Sequence, residues 1–349
     1  MRRLLTRYVQ AGRALPDAAV ILDGENRIQW CNDKAQDHLG IDARADAGQA
    51  VTNLMRQPEF VEYLAAGDYS KPLDLRSGRG AGALFSVQII PYDDSQKLLL
   101  ARDITQAETL DRVRRDFVAN VSHELRTPLT VLVGFLETAR ELKLDPKRLR
   151  DYLGMMADQS HRMQRILEDL LTLSSLEAAP EPRRDERIVV SQLLSRTKAD
   201  GELLSAGGHR ISLNMQGDYD LLGAETEISS AFANLVTNAV RYTPAGGEIR
   251  LNWLASQEGA SFAVVDTGIG IERVHIPRLT ERFYRIDRGR SRETGGTGLG
   301  LAIVKHALLR HQATLEIESG PGQGSRFTAR FPARRLIPAA ASSRHDPTR

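Results

Sequence analysis

The spacing of the apolar residues changes at Thr105, and this change divides the chain into modules. Before it, from Leu15 to about Arg102, short apolar runs such as AVILD and IQWCN alternate with turn residues, which is typical of a small mixed α/β domain. After it, apolar residues recur every three or four positions and predict one long helix. The residues on its stripe are Leu110, Val113, Phe117, Val121 and Leu125.

A second long helix is predicted after the turn at Asp145 and Pro146, because proline suits the first turn of a helix. Its apolar stripe consists of Leu149, Leu153, Met156, Met163, Ile166, Leu170 and Leu173. Two such helices form a hairpin, and their wide apolar seams favour a four-helix bundle completed by a second chain. The sequence therefore predicts a homodimer.

A proline-rich, charged segment, AAPEPRRDE, ends the hairpin, and strands alternate with helices beyond it. The expected fold class is multidomain α+β, with a small α/β domain, a helical hairpin and an α/β-sandwich domain. The predicted boundaries are a juxtamembrane or linker segment at 1–14, the small domain at 15–104, the hairpin at 105–179, a linker at 180–187, the second domain at 188–333 and a disordered tail at 334–349.

Composition argues against some classes of protein. Lys and Arg total 47 against 45 Asp and Glu, a net charge of +2, which gives little field for holding a nucleic acid. The one cysteine, Cys31, cannot close an intramolecular disulfide. The apolar runs are too short to span a membrane, and the chain start lacks the apolar core of a secretion signal. The chain as given is expected in the cytoplasm.

Two glycine-containing motifs suggest a ligand site. DTGIG places Asp266 after a strand-like run with Gly268 and Gly270 close behind, although Asp-x-Gly is also an ordinary turn signal. TGGTGLGLAIVKH leads its glycines directly into an amphipathic helix, whose first free N–H groups favour phosphate oxygens. A flexible surface loop is the other interpretation of this second motif.

A third motif, SSAFANLVTNAVRYTP, predicts a helix whose apolar face carries Ile228, Phe232, Leu235 and Ala239. Asn234 and Asn238 lie one turn apart on the opposite face, and two amide oxygens there suit a Mg²⁺ ion that also takes nucleotide phosphates as ligands. Solvent exposure would explain the same polar residues. Together, however, the three motifs indicate a Mg-nucleotide pocket.

The fourth motif, NVSHELRTPLT, lies within the first long helix. Pro128 cannot donate a hydrogen bond to the carbonyl of Glu124 and is expected to bend the helix near His123. A conformational cost inside a bundle helix suggests a function, although a surface histidine on a kinked helix is the simpler alternative.

The motifs NVSHELRTPL, NLVTNAVRYTP, DTGIG, ERFYR and GGTGLGLAIVK occur in the order found in bacterial sensor histidine kinases, and the chain resembles this family from Asp103 to about Phe331. The leading domain resembles a PAS sensor domain. LPDAAVILDGENRIQWCN and IPRLTERFYRIDRGRSRETGGTGLGLAIVKHA extend the likeness to the phosphate-regulon branch of the family. Members of that branch have membrane helices upstream, so the resemblance implies an inner-membrane natural protein with these domains facing the cytoplasm.

The resemblance implies roles for three residues of the first long helix. His123 matches the phosphate-accepting histidine, Glu124 the acid that orients its ring and assists proton loss, and Thr127 the residue that positions water when the partner is dephosphorylated. An imidazole is substantially neutral and nucleophilic at cellular pH, which suits the first role.

The resemblance also implies an ATP site. Asp266 would read the adenine, Phe283 would anchor a mobile segment, and Arg241 stands where the family commonly has lysine. The full set of implied ATP contacts is Asn234, Asn238, Arg241, Tyr242, Asp266, Gly268, Gly270, Arg282, Phe283, Arg285, Arg288, Gly296, Gly298 and Gly300. The implied Mg²⁺ ligands are Asn238 and Asn234, with Glu227 acting through a water.

The function implied is a kinase that phosphorylates His123 from Mg-ATP, passes the phosphoryl group to an aspartate of a phosphate-regulon response regulator, and also dephosphorylates that partner. A phosphate transport complex or its accessory regulator is a further implied partner. Two alternatives are an ATP-hydrolysing conformational machine with the same nucleotide fold and a non-catalytic dimeric sensor scaffold. The HELRTP helix argues against the first, and intact His123, Asn238 and Asp266 argue against the second.

Overall fold

The computed structural model describes residues 10–77, 82–93, 95–141, 145–178, 185–286 and 296–339. The chain divides into two compact units, Met1–Asp116 and Phe117–Arg349. Both units contain helices and β-strands, and the second unit also contains most of a helical hairpin. This agrees with the expected multidomain α+β class. Within the described residues, every helix is either too short or too polar to cross a lipid bilayer.

The first unit is built on an antiparallel sheet in the order β2-β1-β5-β4-β3. Its elements are β1 (Ala18–Leu22), β2 (Ile28–Cys31), α1 (Asp33–Leu39), α2 (Pro58–Ala66), β3 (Leu73–Arg76), β4 (Leu84–Asp93) and β5 (Gln96–Asp103). Buried Asn32 accepts hydrogen bonds from the backbone N–H groups of Ala19 and Ala35 at 3.0 Å each, which fastens α1 to β1. Its Nδ2 donates to the carbonyl of Gly12, so the first described residues lie against this domain.

The helical hairpin consists of α3 (Thr105–Glu141) and α4 (Pro146–Glu177). Helix α4 begins at the predicted turn, where the Asp145 carboxylate accepts from the backbone N–H groups of Lys147 and Arg148 and Pro146 occupies the first turn. The rings of Phe135 and Tyr152 pack between the two helices with centroids 5.0 Å apart. The hairpin predicted from the apolar spacing is present.

The remaining domain contains a mixed sheet in the order β11-β12-β10-β9-β7, in which β7 and β9 are parallel and the other pairs are antiparallel. Its elements are α5 (Val190–Ser205), β7 (Arg210–Gln216), α6 (Glu225–Tyr242), β9 (Glu248–Ser256), β10 (Gly259–Asp266), α7 (Gly300–Arg310), β11 (Thr314–Ser319) and β12 (Ser325–Pro332). A small sheet joins β6 (Glu186–Ile188), β8 (Tyr219–Gly223) and β13 (Leu336–Pro338). Helices packed on the large sheet form an α/β sandwich.

The core of this domain explains the position of α6. The rings of Phe232 and Phe262 lie 4.1 Å apart, which joins the helix to β10. Every apolar residue that the sequence assigned to the inner face of this helix is buried: Ile228, Phe232, Leu235 and Ala239. The helix therefore turns its polar face away from the sheet.

Two predicted boundaries shift. The tail predicted at 334–349 is wrong for residues 334–339, because β13 pairs with β8 and the Arg335 guanidinium lies 2.6 Å from the Asp185 carboxylate. The linker predicted at 180–187 ends earlier, because Glu186 already pairs in β6. Positions 180–184, 1–9 and 340–349 lie outside the described residues.

Candidate active site

Asp266 stands at the end of β10 with its side chain buried. Its Oδ1 accepts hydrogen bonds from the backbone N–H groups of Gly268, at 2.8 Å, and Ser325, at 3.2 Å. Within the described part of the chain, Oδ2 accepts no hydrogen bond and is open to a ligand donor. Burial raises the pKa of this carboxyl above its ordinary value, and the two backbone donors oppose the shift.

The two glycines after Asp266 are required by close backbone approach. A Cβ at Gly268 would overlap the carbonyl oxygen of Tyr242, and a Cβ at Gly270, whose φ is +70°, would overlap the carbonyl of Gly320. The turn thus brings the end of β10 against the end of α6, and Ile269 N–H donates to the Tyr242 carbonyl at 3.2 Å. The turn and the end of α6 form one wall.

The glycine loop, Gly296–Gly300, leads into α7. Gly298 has φ +73°, and a Cβ there would lie 2.9 Å from the Cα of Phe283. Phe283, itself at φ +62°, donates its N–H to the Gly298 carbonyl at 2.8 Å. The predicted aromatic anchor is therefore joined directly to the predicted phosphate-side loop.

The two asparagines of helix α6 differ in their contacts, and Asn234 is the one that reaches the glycine loop. Asn234 Nδ2 donates to the Ser230 carbonyl at 2.9 Å, and its Oδ1 lies so close to Gly300 that a Cβ there would overlap it. Asn238 is half-buried, and its side chain has no hydrogen-bond partner among the residues that the structure describes. Its amide oxygen is available to a cation, which fits the expected magnesium ligand better than Asn234 does.

The end of α6 also faces the glycine loop. A Cβ built at Gly296 would lie 3.8 Å from a guanidinium nitrogen of Arg241 and 3.9 Å from the hydroxyl of Tyr242. Burial lowers the pKa of Arg241. Arg241 and Tyr242 therefore adjoin the glycine loop, whereas Arg288 lies outside the described residues.

Glu227 is not brought to the asparagines. Its carboxylate receives two hydrogen bonds from the guanidinium of Arg310, at 2.9 and 3.0 Å, in a buried bidentate pair. Glu227 also precedes Asn234 by two helical turns, about 10 Å of rise. The expectation that Glu227 orients a water of the same metal site is wrong, because this carboxylate joins α6 to α7 instead.

His123 lies on the surface of α3, with its side chain exposed. The neighbouring Glu124 accepts from Arg162 of α4 at 3.1 Å. Thr127, one turn on, is also exposed, and its hydroxyl donates to the His123 carbonyl at 3.2 Å. Pro128 is buried against the hairpin. The histidine ring is thus open to an incoming group, not sealed in apolar packing.

The hairpin also contacts the segment ERFYR. An Arg285 guanidinium nitrogen lies 3.7 Å from the Glu124 carboxylate, and Arg282 donates to Glu177 at 2.6 Å. The Phe283 ring lies 5.9 Å from the ring of Phe117. Predicted nucleotide contacts therefore meet the neighbourhood of His123.

Sequence reasoning missed several residues of this contact: Arg162, Asp169, Glu177, Thr297 and His306. Thr297, within the glycine loop, could have been noticed from its motif. The others occupy ordinary positions of amphipathic helices and carry no local signal. Within the described residues, no cluster of three His, Cys, Asp or Glu side chains suits a metal, so the magnesium expectation depends on the asparagines.

Three family models match the chain. They are the histidine kinase-, DNA gyrase B- and HSP90-like ATPase at residues 223–335, the His Kinase A phospho-acceptor domain at 113–179 and the PAS domain at 13–71. The matched set defines an ATP-binding histidine kinase with a PAS domain. The phospho-acceptor match argues against the alternative of a conformational ATPase.

Curated relatives narrow the assignment. The phosphate regulon sensor protein PhoR of Pseudomonas aeruginosa is 48% identical over 334 residues, 95% of this chain and 75% of the relative. PhoR of Haemophilus influenzae is 33% identical over 96% of this chain and 78% of its own length. A solved complex of the histidine kinase ThkA with the response regulator protein TrrA matches 91% of this chain and 96% of that chain, at 18% identity and a TM-score of 0.49. The chain belongs to the PhoR-type sensor histidine kinases of two-component signalling.

Proposed function

We propose that His123 accepts the γ-phosphoryl group of ATP and passes it to an aspartate of a response regulator in phosphate-starvation signalling. The observation that carries this proposal is the exposed His123 ring beside Glu124. A guanidinium nitrogen of Arg285, from the nucleotide domain, lies 3.7 Å from the Glu124 carboxylate. A ring nitrogen attacks the γ-phosphorus, the bond from γ-phosphorus to the bridging oxygen breaks, and ADP leaves. The ring proton departs towards Glu124.

The nucleotide is proposed to lie between the Asp266 turn and the glycine loop. Oδ2 of Asp266 would accept from the adenine amino group, and Tyr242 would flank the base or ribose. The free N–H groups at the start of α7 and the guanidinium of Arg241 would hold phosphates. Arg282 and Arg285 would join them once they leave the hairpin carboxylates. This arrangement supplies positioning and charge neutralisation, the main requirements of phosphoryl transfer.

Mg²⁺ is proposed as the cofactor, with Asn238 as its protein ligand and Asn234 beside it. When bound, it would neutralise phosphate charge. The amide of Asn238, which has no hydrogen-bond partner in the described part of the chain, supports this assignment, because an octahedral Mg²⁺ that keeps several waters needs few protein ligands.

We propose a homodimer through the hairpin. The helices leave many apolar side chains exposed, including Val118, Leu129, Leu136, Leu153, Leu167 and Leu171. A second hairpin would cover them in a four-helix bundle. We propose that each chain of the dimer is divided into domains at the boundaries predicted from the sequence, changed only at the two segments where the structure differs.

The phosphate-regulon partner, a phosphate transport complex or its regulator, and attachment of the natural protein to the inner membrane are proposed on the likeness to PhoR. Response-regulator phosphatase activity is proposed for Thr127, whose exposed hydroxyl lies one turn from His123 and could orient a water.

The test supplies γ-labelled ATP to the full chain. We expect acid-labile, base-stable label on the wild type and on His161→Gln, which removes another exposed histidine of the hairpin, and none on His123→Gln. Thr127→Ala should keep the label and lose dephosphorylation of the regulator. Label on His123→Gln, or none on a nucleotide-binding wild type, would overturn the assignment of His123.

A further inference from the structure

The carboxylate of Asp169, on α4, contacts the glycine loop of the nucleotide domain. Its Oδ2 accepts a hydrogen bond from the Thr297 hydroxyl at 2.7 Å. Thr297 is buried, and its hydroxyl also accepts from the backbone N–H of Leu299 at 3.2 Å, immediately before α7 begins. A negative charge of the hairpin is therefore placed at the start of a helix of eleven residues.

Two arginines and one further carboxylate, Glu168, act electrostatically on Asp169. Arg241, at the end of α6, and Arg165, on α4, both act on Asp169 electrostatically, and burial raises the pKa of the Asp169 carboxyl despite them. The Arg241 guanidinium also adjoins Gly296 across the glycine loop. Asp169 thus binds the Thr297 hydroxyl beside the start of α7 and lies in the electrostatic field of Arg241, two features that a nucleotide phosphate would use.

Two further carboxylates of the hairpin repeat this arrangement. Glu177 accepts from Arg282 at 2.6 Å and lies 3.3 Å from the ring of His306 on α7. Glu124 lies 3.7 Å from Arg285. Both arginines of ERFYR that were predicted to contact phosphate, Arg282 and Arg285, therefore lie beside a carboxylate of the hairpin.

A structural role alone does not account for Asp169. A half-buried carboxylate pays a desolvation cost, and an apolar or amide residue of similar size would pack without it. The cost is understandable if the negative charge itself is what the loop recognises.

We propose that Asp169 is a built-in substitute for an ATP phosphate, so that the domain docked on the hairpin disfavours the phosphates of nucleotides and is autoinhibited. This inference rests on the proposed nucleotide site. Because coupling between two binding events is reciprocal, ATP would promote release of the hairpin, and release would strengthen ATP binding. Glu177 and Glu124 would act in the same direction through the two arginines.

The experiment measures equilibrium binding of ATP and of adenosine, without metal, to the full-length dimer. Asp169→Asn keeps the shape and removes the charge, and we expect ATP affinity to rise about 5- to 20-fold, within the usual range of coupling between sites. Adenosine has no phosphate, so its affinity should be unchanged. Glu168→Gln removes the neighbouring exposed charge and should leave both affinities as in the wild type.

The outcomes separate the two proposals. A wild type that binds neither ligand contradicts the proposed nucleotide site. If the wild type binds both, unchanged or weaker ATP binding in Asp169→Asn overturns the substitute role alone. Equal gains for ATP and adenosine also overturn it, because they indicate general loosening of the domain and not competition for the phosphate position. An equal gain in Glu168→Gln would show a nonspecific charge effect and count against Asp169.

Discussion

Helices α6 and α3 are both amphipathic and both carry predicted chemistry, but only α6 buries its apolar face within one chain. Phe232 of α6 is fully buried, whereas Leu129 of α3 is 51% exposed and Leu136 is 55% exposed. The nucleotide domain is therefore complete in a single chain, while the helix of the phosphate acceptor is not. The acceptor and donor halves of the reaction should differ in what damages them.

The largest expected effect is in the nucleotide domain. Phe232→Ala removes a ring that packs on Phe262 and should lower the free energy of unfolding by about 3–5 kcal/mol, because the cavity cannot collapse fully. Denaturant unfolding followed by tryptophan fluorescence measures it, with Trp253 buried in this core.

Leu309→Ala is the matched control, because Leu309 lies on α7 of the same domain and is exposed. It should change the free energy of unfolding by less than about 1 kcal/mol. Similar losses for Phe232→Ala and Leu309→Ala would show that the complete core assigned to α6 is not the source of stability.

The next largest effect concerns the hairpin and tests whether α3 needs a second chain to cover its apolar face. Leu136→Glu places a charge on the exposed apolar surface of α3 and should weaken dimerisation at least about 100-fold, because each side chain contributes roughly 1.5–3 kcal/mol when buried. Sedimentation equilibrium over a concentration series measures the dimer. Unfolding of the nucleotide domain should be unaffected.

Glu137→Gln changes an exposed neighbouring residue and should leave the dimer intact. A monomeric wild type, or a Leu136→Glu dimer as tight as the wild type, would remove the basis for saying that α3 requires a second chain.

The smallest effect on stability concerns Asp266. Its folded-state pKa is raised, so the ionised form is disfavoured on folding above that pKa, and the penalty disappears as the pH falls below the ordinary value. Asp266→Asn keeps the acceptor Oδ1 and should stabilise the nucleotide-free domain at neutral pH by up to about 1 kcal/mol. The gain should vanish at acidic pH, while ATP binding weakens at neutral pH.

Thermal unfolding across a pH series, paired with nucleotide titration, checks this prediction. Asp218→Asn removes an exposed carboxylate of the same domain and serves as the control for charge. Destabilisation of Asp266→Asn at neutral pH would mean that the carboxylate has a structural role, and unchanged ATP affinity would remove it from the adenine site.

Local chemistry made much of this protein predictable. The glycines beside Asp266 mark a turn that only glycine tolerates, and the apolar period of α6 correctly assigned its buried face. In each case the residues that carry the signal lie close together in the sequence. The exposed turn at Asp145 and Pro146 was predictable for the same reason.

Contacts between distant positions were not predictable. Glu227 meets Arg310, 83 residues later, and Asp169 meets Thr297, 128 residues later, so neither pair leaves a pattern in the local sequence. The position of β13 was missed similarly, because its pairing with β8 depends on the assembled domain. The class of protein could therefore be predicted from local motifs, whereas the contacts between the hairpin and the nucleotide domain became visible only in the folded structure.

The hydrogen bond from Ser325 to Asp266 has a consequence for synthesis on the ribosome. Strand β12 pairs with β10 along its whole length, so the surroundings of Asp266 are incomplete until the polypeptide has emerged past Pro332. The histidine leaves the ribosome some two hundred residues earlier. A nascent chain therefore exposes the histidine well before it contains the strand whose backbone N–H binds the Asp266 carboxylate.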